Sequence, residues 1–448
     1  MTISQGINWD EAYEEALSYF KGLIRMNTVN PPGNEKPAAE YLAEILRKDG
    51  IEPEIIDSAE DRANMVCRLS GNGEKKPLLL NGHLDVVAVE EDKWSVPPFD
   101  AVEKDGFLYG RGAVDMKNMV VMCMMCVLLL KRAGAELKRD VIFCAVSDEE
   151  AGGEYGSRFM VENHPDKVRA EYSLSEMGGF SMEMDGTRFY LVQVAEKGVC
   201  WLKIRTTGDP GHGSIPDPDS ALIKAARIAE KLGQTPLPQH NTPAVINFVD
   251  KLSAHLKFPR NKVFKRLLNP AFSRLILEKV FPDKGLAQAF KAMLHNTTNP
   301  TVIRAGEKTN VIPSMAEIEV DCRLLPGHSS DDLVKEIRKV IGDGPEIEIM
   351  HATNPTEASP DDPIMGLMEE AIKRHDPQAV VVPNLVTGFT DATHWKKLGT
   401  KCYGFSPLKL PADVNFKNLF HGHDERIPLE GFRFGLEVLF ETVEKLVT

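Results

Sequence analysis

The chain has 448 residues, more than one ordinary domain holds, so two domains are expected, one perhaps carried inside the other. Hydrophobic residues make up 42% of it, enough for sizeable cores and too much for a disordered chain. The net charge of 53 − 66 = −13 argues against nucleic acid as a partner, because a phosphate backbone asks for a basic face.

The first segment, residues 10 to 26, spaces Tyr13, Leu17, Phe20 and Ile24 as a helix does and stops at Pro31-Pro32. It has no basic start or apolar core of a signal peptide. A second helix, about 36 to 48, ends at Gly50, and "NMVCRLSG" and "KPLLLNGHLDVV" read as strands. The longest apolar run, "MVVMCMMCVLLL" at residues 119 to 130, is too short to span a bilayer and falls in a core helix expected over 116 to 133. "DVIFCAVS" is a strand, about 154 to 163 a helix, and "AEYSLSE" a strand. Nearly continuous apolar strands between helices indicate an α/β sheet covered on both faces. Seven scattered cysteines without CxxC spacing suit core packing in a reducing cytoplasm.

The pattern changes near Lys197. "GVCWLKIRTTG" alternates with period two, as a strand with one wet face does. A helix at 219 to 232, the strand "SMAEIEVDCRL", a helix at 331 to 341 and the strand "EIEIMHAT" follow. The expected division is therefore a first α/β part over 1–197, an inserted α+β domain over 198–353 and a second α/β part over 354–448. Residues 254 to 295 of the insert carry nine Lys/Arg against two acids, interleaved with Phe258, Phe264, Leu267, Phe272 and Leu275. They read either as a membrane-touching or substrate-gating arm or as a helical hairpin whose charges face water. A helix at 362 to 375, "AVVVPNLVTG", "KCYGFSP" and a final helix at 428 to 446 return to the first style.

Chemistry-bearing residues gather where strands end. "NGHLDVV" offers His83 and Asp85, "GRGAVDMKN" puts Asp115 in a Gly-rich loop, and "SDEEAGG" sets Asp148, Glu149 and Glu150 side by side. "SLSEMGG" adds Glu176, and "NLFHGHDERI" adds His421 and His423. Open α/β sheets collect ligands beyond the carboxyl ends of their strands. Two imidazoles and three carboxylates are a ligand set for two divalent ions; such N and O donors suit zinc and accept cobalt or manganese.

These segments, with "TDATH", resemble the M20 metallopeptidases, the zinc-dependent aminoacylases, carboxypeptidases and dipeptidases, over nearly the whole chain and in the family's order. The resemblance implies that His83 and Glu176 hold one metal, Glu150 and His421 the other, and that Asp115 bridges them. It makes Asp85 the residue orienting His83 and Glu149 the general base, and leaves Asp148 without direct chemistry. His421 is preferred to His423 because it lies four residues before Glu425, as the family pattern has it. The resemblance further implies that His212 of "GDPGHGS" stabilises the oxyanion of a partner subunit, making the insert both lid and homodimer surface. Asn310 and Arg323 become candidates for the substrate's oxygen and free carboxylate, with a strand-end ion pair the plain alternative for Arg323. Gly388 lines the same pocket, and Asp391 either joins it or caps a turn. "SEMGG" and "FHGHDERI" look closest to the aminoacylase-1 and carboxypeptidase S branch. The expected activity is hydrolysis of an amide bond beside a free carboxylate, in N-acyl amino acids or at a peptide C-terminus. A dipeptidase and a metal-binding homologue without catalysis are the alternatives.

Overall fold

The computed structural model describes residues 2–281, 284–412, 414 and 419–448. The chain divides into two compact units: one of Met1–Val194, Ala358–Asn384 and Thr390–Thr448, the other of Ala195–Glu357 and Leu385–Phe389.

In the first unit four parallel strands, Val141–Val146, Leu78–His83, Tyr172–Ser175 and Lys401–Gly404, lie side by side in that order. Arg62–Leu69 and then Glu54–Ala59 extend one edge in antiparallel sense. Thr187–Glu196 adds antiparallel beyond Gly404 and carries the hairpin partner Phe180–Met184. The middle strands are buried from end to end, which is why they read as unbroken apolar runs rather than alternating ones. The helix Lys117–Arg132 is buried from Lys117 to Leu130, so its apolar character runs all round instead of along one stripe. Its first residue, Lys117, is fully buried; its Nζ donates to the carbonyls of Leu23 and Met26 at 3.1 and 2.8 Å, and burial lowers its pKa to about 7. The terminal helix Leu429–Val447 packs beside it. Features not read from the sequence include the edge strand Glu54–Ala59, the hairpin of residues 180 to 196, and a three-stranded sheet of Val102–Lys104, Phe107–Tyr109 and Arg426–Pro428. Their strands are too short, or too evenly mixed, to stand out.

The second unit has a four-stranded antiparallel sheet in the order Thr297–Ala305, Met315–Leu324, Gly198–Thr207, Glu346–Ala352. The helices Ala221–Gln234 and Ser330–Ile341 cover one face, where Leu202, Ile204, Ile318, Val320, Ile228 and Ile337 interlock. The other face leaves Trp201 and Met315 exposed, the wet face its period-two pattern announces. Ser330–Ile341 starts on a capping box, Ser329 with Asp332. Residues 243 to 281 and 284 to 294 form not one hairpin but a run of helices, with a core of Phe248, Phe264, Phe281 and Phe290 at ring separations of 5.3 to 5.6 Å. Phe258, Phe272, Leu275 and Val280 remain exposed on it.

Candidate metal centre

Four parallel strands point their carboxyl ends the same way, and the side chains that leave them converge. His83 ends its strand, fully buried, in register with Val146, so the acidic turn after Val146 starts level with it. Glu176 follows Ser175 directly. Residues 149 to 151 form a single 3-10 turn between Asp148 and Gly152, both left-handed, at φ 69° and 107°. Glycine takes that conformation without strain; Asp148 takes it because its carboxylate is held by three donors. Asn30 Nδ2 and Tyr155 N donate to it at 3.0 Å each, and the Arg62 guanidinium pairs with it at 2.9 Å. Arg62 is itself forked onto buried Glu35 at 2.6 and 3.1 Å.

Asp85 works on the same turn. Its carboxylate accepts from the backbone N–H groups of Glu149 and Glu150 at 3.1 Å each, and from Asn30 at 2.8 Å. This differs from the expectation that the carboxylate holds the distal nitrogen of His83. His83 Nδ1 meets the backbone carbonyl of Asp85 at 2.9 Å, with the carboxylate farther off at 3.6 Å. The carbonyl nonetheless accepts from Nδ1–H and so sets the ring's direction, turning Nε2 toward the acids.

That nitrogen faces Asp115 Oδ1 at 3.0 Å, Glu176 at 3.7 Å and Glu149 at 3.9 Å. The other oxygen of Asp115, Oδ2, faces His421 Nε2 at 3.2 Å, and Glu150 meets the same nitrogen at 3.1 Å. One carboxylate thus turns each oxygen toward a different imidazole. His421 sits at φ 57°. His423 turns away to Glu90 at 3.4 Å, so only one of the two candidate histidines joins the cluster.

Asp115 is placed by a residue the sequence offered only as a spacing marker. Glu425, fully buried, accepts from the backbone N–H groups of Gly112, Val114 and Asp115 at 3.0, 2.7 and 3.1 Å and from Arg111 at 2.8 Å. Asn30, Glu35 and Arg62 are likewise positioning residues without a signal in the sequence, and Asp148, which the acidic motif marked but gave no direct chemistry, joins them. A buried acid four residues after a candidate histidine was the one available hint.

Crowding shifts these groups. Burial and the charge of Glu176 push Glu149 well above its ordinary value, and burial with Asp115 pushes Glu176 up to about 8. Burial alone would raise Asp115 as well, but hydrogen bonds from His421 and His83 hold it below the usual carboxylate range. His421 is raised to about 10 by Asp115 and Glu150. The cluster therefore has more buried negative charge than its two imidazoles neutralise, and Glu150 Oε1 is buried with no hydrogen-bond partner among the described residues. Donor atoms of His83, Glu149 and Glu176, and of His83, Asp115 and Glu150, lie within 4.8 Å of one another. Both the donor chemistry and the orphaned oxygen fit divalent cations. Beside Glu176 a narrow recess is lined by Val114, Met177, Phe180, Leu408 and Phe420.

His212, Asn310, Arg323 and Gly388 belong to the second unit. His212 pairs with Val311 in a two-residue ladder, and Gly213 N donates to the Asn310 carbonyl at 2.8 Å, so His212 and Asn310 are neighbours. Ser214 N–H donates to His212 Nδ1 at 3.2 Å, which leaves Nε2–H of the exposed ring as a donor. Arg323 is forked onto Asp321 at 2.8 and 3.0 Å, the strand ion pair the sequence also allowed. Gly388 sits in the bend after Val380–Val386, where an added Cβ would meet only Val386. In the first unit Asp391 precedes the short helix Ala392–Trp395, and its carboxylate accepts from Ser157 Oγ.

Residues 79–445 match the family described as Peptidase family M20/M25/M40. The chain belongs to this family. It is 28% identical over 461 residues to the N-fatty-acyl-amino acid synthase/hydrolase of Mus musculus, covering 98% of this chain and 88% of that protein. It is 27% identical over 448 residues to aminoacylase-1 of Sus scrofa, covering 98% and 97%. The fold is that of the M20 family metallo-carboxypeptidase Sso-CP2 from Sulfolobus solfataricus, with a TM-score of 0.67, 18% identity and coverage of 96% and 98%. Like its M20 relatives, the chain is a metal-dependent hydrolase acting on C–N bonds. Among the described residues no helix is long and apolar enough to cross a membrane.

Proposed function

We propose that this M20 hydrolase cleaves the amide bond of N-acyl amino acids, or the last peptide bond of a peptide, next to a free carboxylate. Two divalent ions, zinc foremost, would be held by His83 and Glu176 on one side and by Glu150 and His421 on the other, with Asp115 shared between them. The observation that carries this reading is Asp115, whose two oxygens address two imidazoles at 3.0 and 3.2 Å. When bound, such a pair of ions acidifies water toward neutrality and draws charge from an oxyanion.

The chain's own residues do the rest. Glu149 takes the proton of the attacking water on its carboxylate and returns it to the leaving amine nitrogen. Burial, which raises its proton affinity, suits that exchange. Asp85 keeps Glu149 and Glu150 on diverging directions by holding both backbone N–H groups. His212 of a partner subunit donates Nε2–H to the developing oxyanion, which makes the inserted unit a lid and a homodimer surface. Asn310 contacts a substrate oxygen, and Gly388 lines the pocket. Arg323 receives the free carboxylate by exchanging Asp321 for it, a like-for-like replacement of one fork by another. Similarity to the N-fatty-acyl-amino acid synthase/hydrolase supports an N-acyl amino acid as the substrate. Seven cysteines, none in a disulfide, support a reducing cytoplasmic setting.

The test is Glu149→Gln in the zinc-loaded protein, against a panel of N-acyl amino acids of varied chain length and dipeptides. We expect loss of turnover by about 10²–10⁴-fold with both metals retained. Undiminished turnover would remove Glu149 as the base, and turnover of dipeptides alone would remove the acylase reading.

A further inference from the structure

The second unit holds another group of metal-ligand side chains, far in sequence from the clustered carboxylates of the first. His240 lies between the helices Ala221–Gln234 and Pro243–His255, His328 lies just before Ser330–Ile341, and Glu336 lies within that helix. One donor atom from each falls within 4.8 Å of the other two. His240 Nε2 meets Glu336 Oε1 at 2.6 Å, and the rings of His240 and His328 sit 4.0 Å apart.

A proton shared between His240 and Glu336 would explain that pair alone. It does not explain His328, which lies against the His240 ring with neither of its own ring nitrogens hydrogen-bonded among the described residues. Two imidazoles tilted at 51° to each other beside one carboxylate repel when both are protonated, and among the described residues they share no hydrogen bond. Burial, with the neighbouring His240, lowers the proton affinity of His328 and so favours its neutral, ligand-competent form.

The surroundings are built as metal ligands need. Buried Asn296 donates from Nδ2 to Glu336 Oε2 at 3.0 Å, and its Oδ1 accepts from Leu325 N at 2.8 Å. His328 N in turn donates to the Leu325 carbonyl at 3.1 Å, so one amide ties the carboxylate and the histidine loop together. His240 N is anchored on the Leu294 carbonyl at 2.8 Å. A carboxylate held by an outer partner, and histidines on fixed backbone, are the marks of a preorganised centre. His240 and His328 are half-buried, which leaves a way in for an ion, and Glu336 is buried.

We propose that His240, His328 and Glu336 form an additional site for a first-row divalent transition ion, with zinc its best fit, in the inserted unit. Two imidazoles and one carboxylate leave at least one coordination position open to water or a further ligand. Binding displaces the proton shared by His240 and Glu336 and joins the loop at His240 to the start of Ser330–Ile341.

The experiment uses the full chain, stripped with a chelator, reloaded with zinc and passed through gel filtration in metal-free buffer before elemental analysis. Wild type should carry one zinc per chain more than His328→Ala and than His240→Ala, while turnover and far-UV circular dichroism stay unchanged; His328→Cys should restore the lost equivalent. Equal zinc in all four proteins overturns the proposal. A second readout needs no substitution: zinc should protect His240 and His328 of the stripped protein from diethyl pyrocarbonate, located by peptide mass mapping. Equal modification with and without zinc overturns it as well.

Discussion

Glu425→Gln is a change of one atom that should disturb both the fold and the metal centre. Glu425 Oε1 accepts from Val114 N and Asp115 N, and Oε2 accepts from Gly112 N and Arg111 Nη1. Glutamine keeps one acceptor oxygen, which can serve Val114 and Asp115, but sets an NH₂ group against two donors. The Arg111 bond is charge-assisted, at about 1.5–3 kcal/mol, and the Gly112 bond adds about 0.5–1.5 kcal/mol. The larger effect is that Arg111, itself buried, keeps its charge without a counter-ion; breaking a buried pair in that way costs about 3–5 kcal/mol and already includes the lost bonds. Against domain stabilities of about 5–15 kcal/mol this is a large fraction. The freed loop carries Asp115, so zinc affinity should fall about 10–100-fold, as when other outer partners of metal ligands are lost. Urea unfolding followed by circular dichroism, and zinc competition against a chromophoric chelator, measure the two effects. The double variant Arg111→Met/Glu425→Gln should recover much of the stability, since neither charge of that pair remains, but not the affinity. A Glu425→Gln protein that unfolds at the wild-type urea concentration and holds zinc as tightly would refute this account of the loop.

His375 lies between Glu437 and Glu441 at 3.2 and 3.0 Å, and their hydrogen bonds raise it from 6.5 to about 9. Its stabilisation is therefore complete below about pH 6.5, the unfolded value, and is lost as pH rises through about 9. The shift converts to about 3 kcal/mol at 1.36 per unit, reduced by solvent screening to about 1–2 kcal/mol. Urea midpoints of wild type and His375→Gln should differ most near pH 6 and merge near pH 10; a constant gap would contradict the pairing. His212→Ala should be inactive by itself and regain activity when mixed with Glu149→Gln, because each mixed dimer then has one intact site; a mixed dimer that forms and stays inactive rules out donation across subunits. Substrates with an amidated C-terminus should show lower kcat/KM than their free acids, and equal values would dismiss Arg323 as the carboxylate contact.

The strand exits at His83, Val146 and Ser175 were legible because a buried parallel strand is a run of apolar residues that ends abruptly. An acid or imidazole at that boundary stands out, and one sheet sends all such boundaries to the same edge. The alternation of Gly198–Thr207 was equally readable, since one of its faces meets solvent. Glu425, Asn30 and the Glu35–Arg62 pair were not. They act through hydrogen bonds to backbone groups distant in sequence, and no periodicity records which N–H a buried carboxylate will meet. Arg323 shows the same limit: its residue type allowed a substrate contact or an ion pair, and the register that places Asp321 on the same face of the strand decided which one the folded chain forms. The grouping of His240, His328 and Glu336 depends on how a helix and two loops pack in the inserted unit. The sequence by itself determined the kinds of ligand and, for His83, Glu150 and Glu176, the strand ends they leave from. Only the tertiary structure decided which oxygen of Asp115 faces which histidine, because that choice belongs to the loop Glu425 holds, and a loop's direction is set by contacts rather than by pattern.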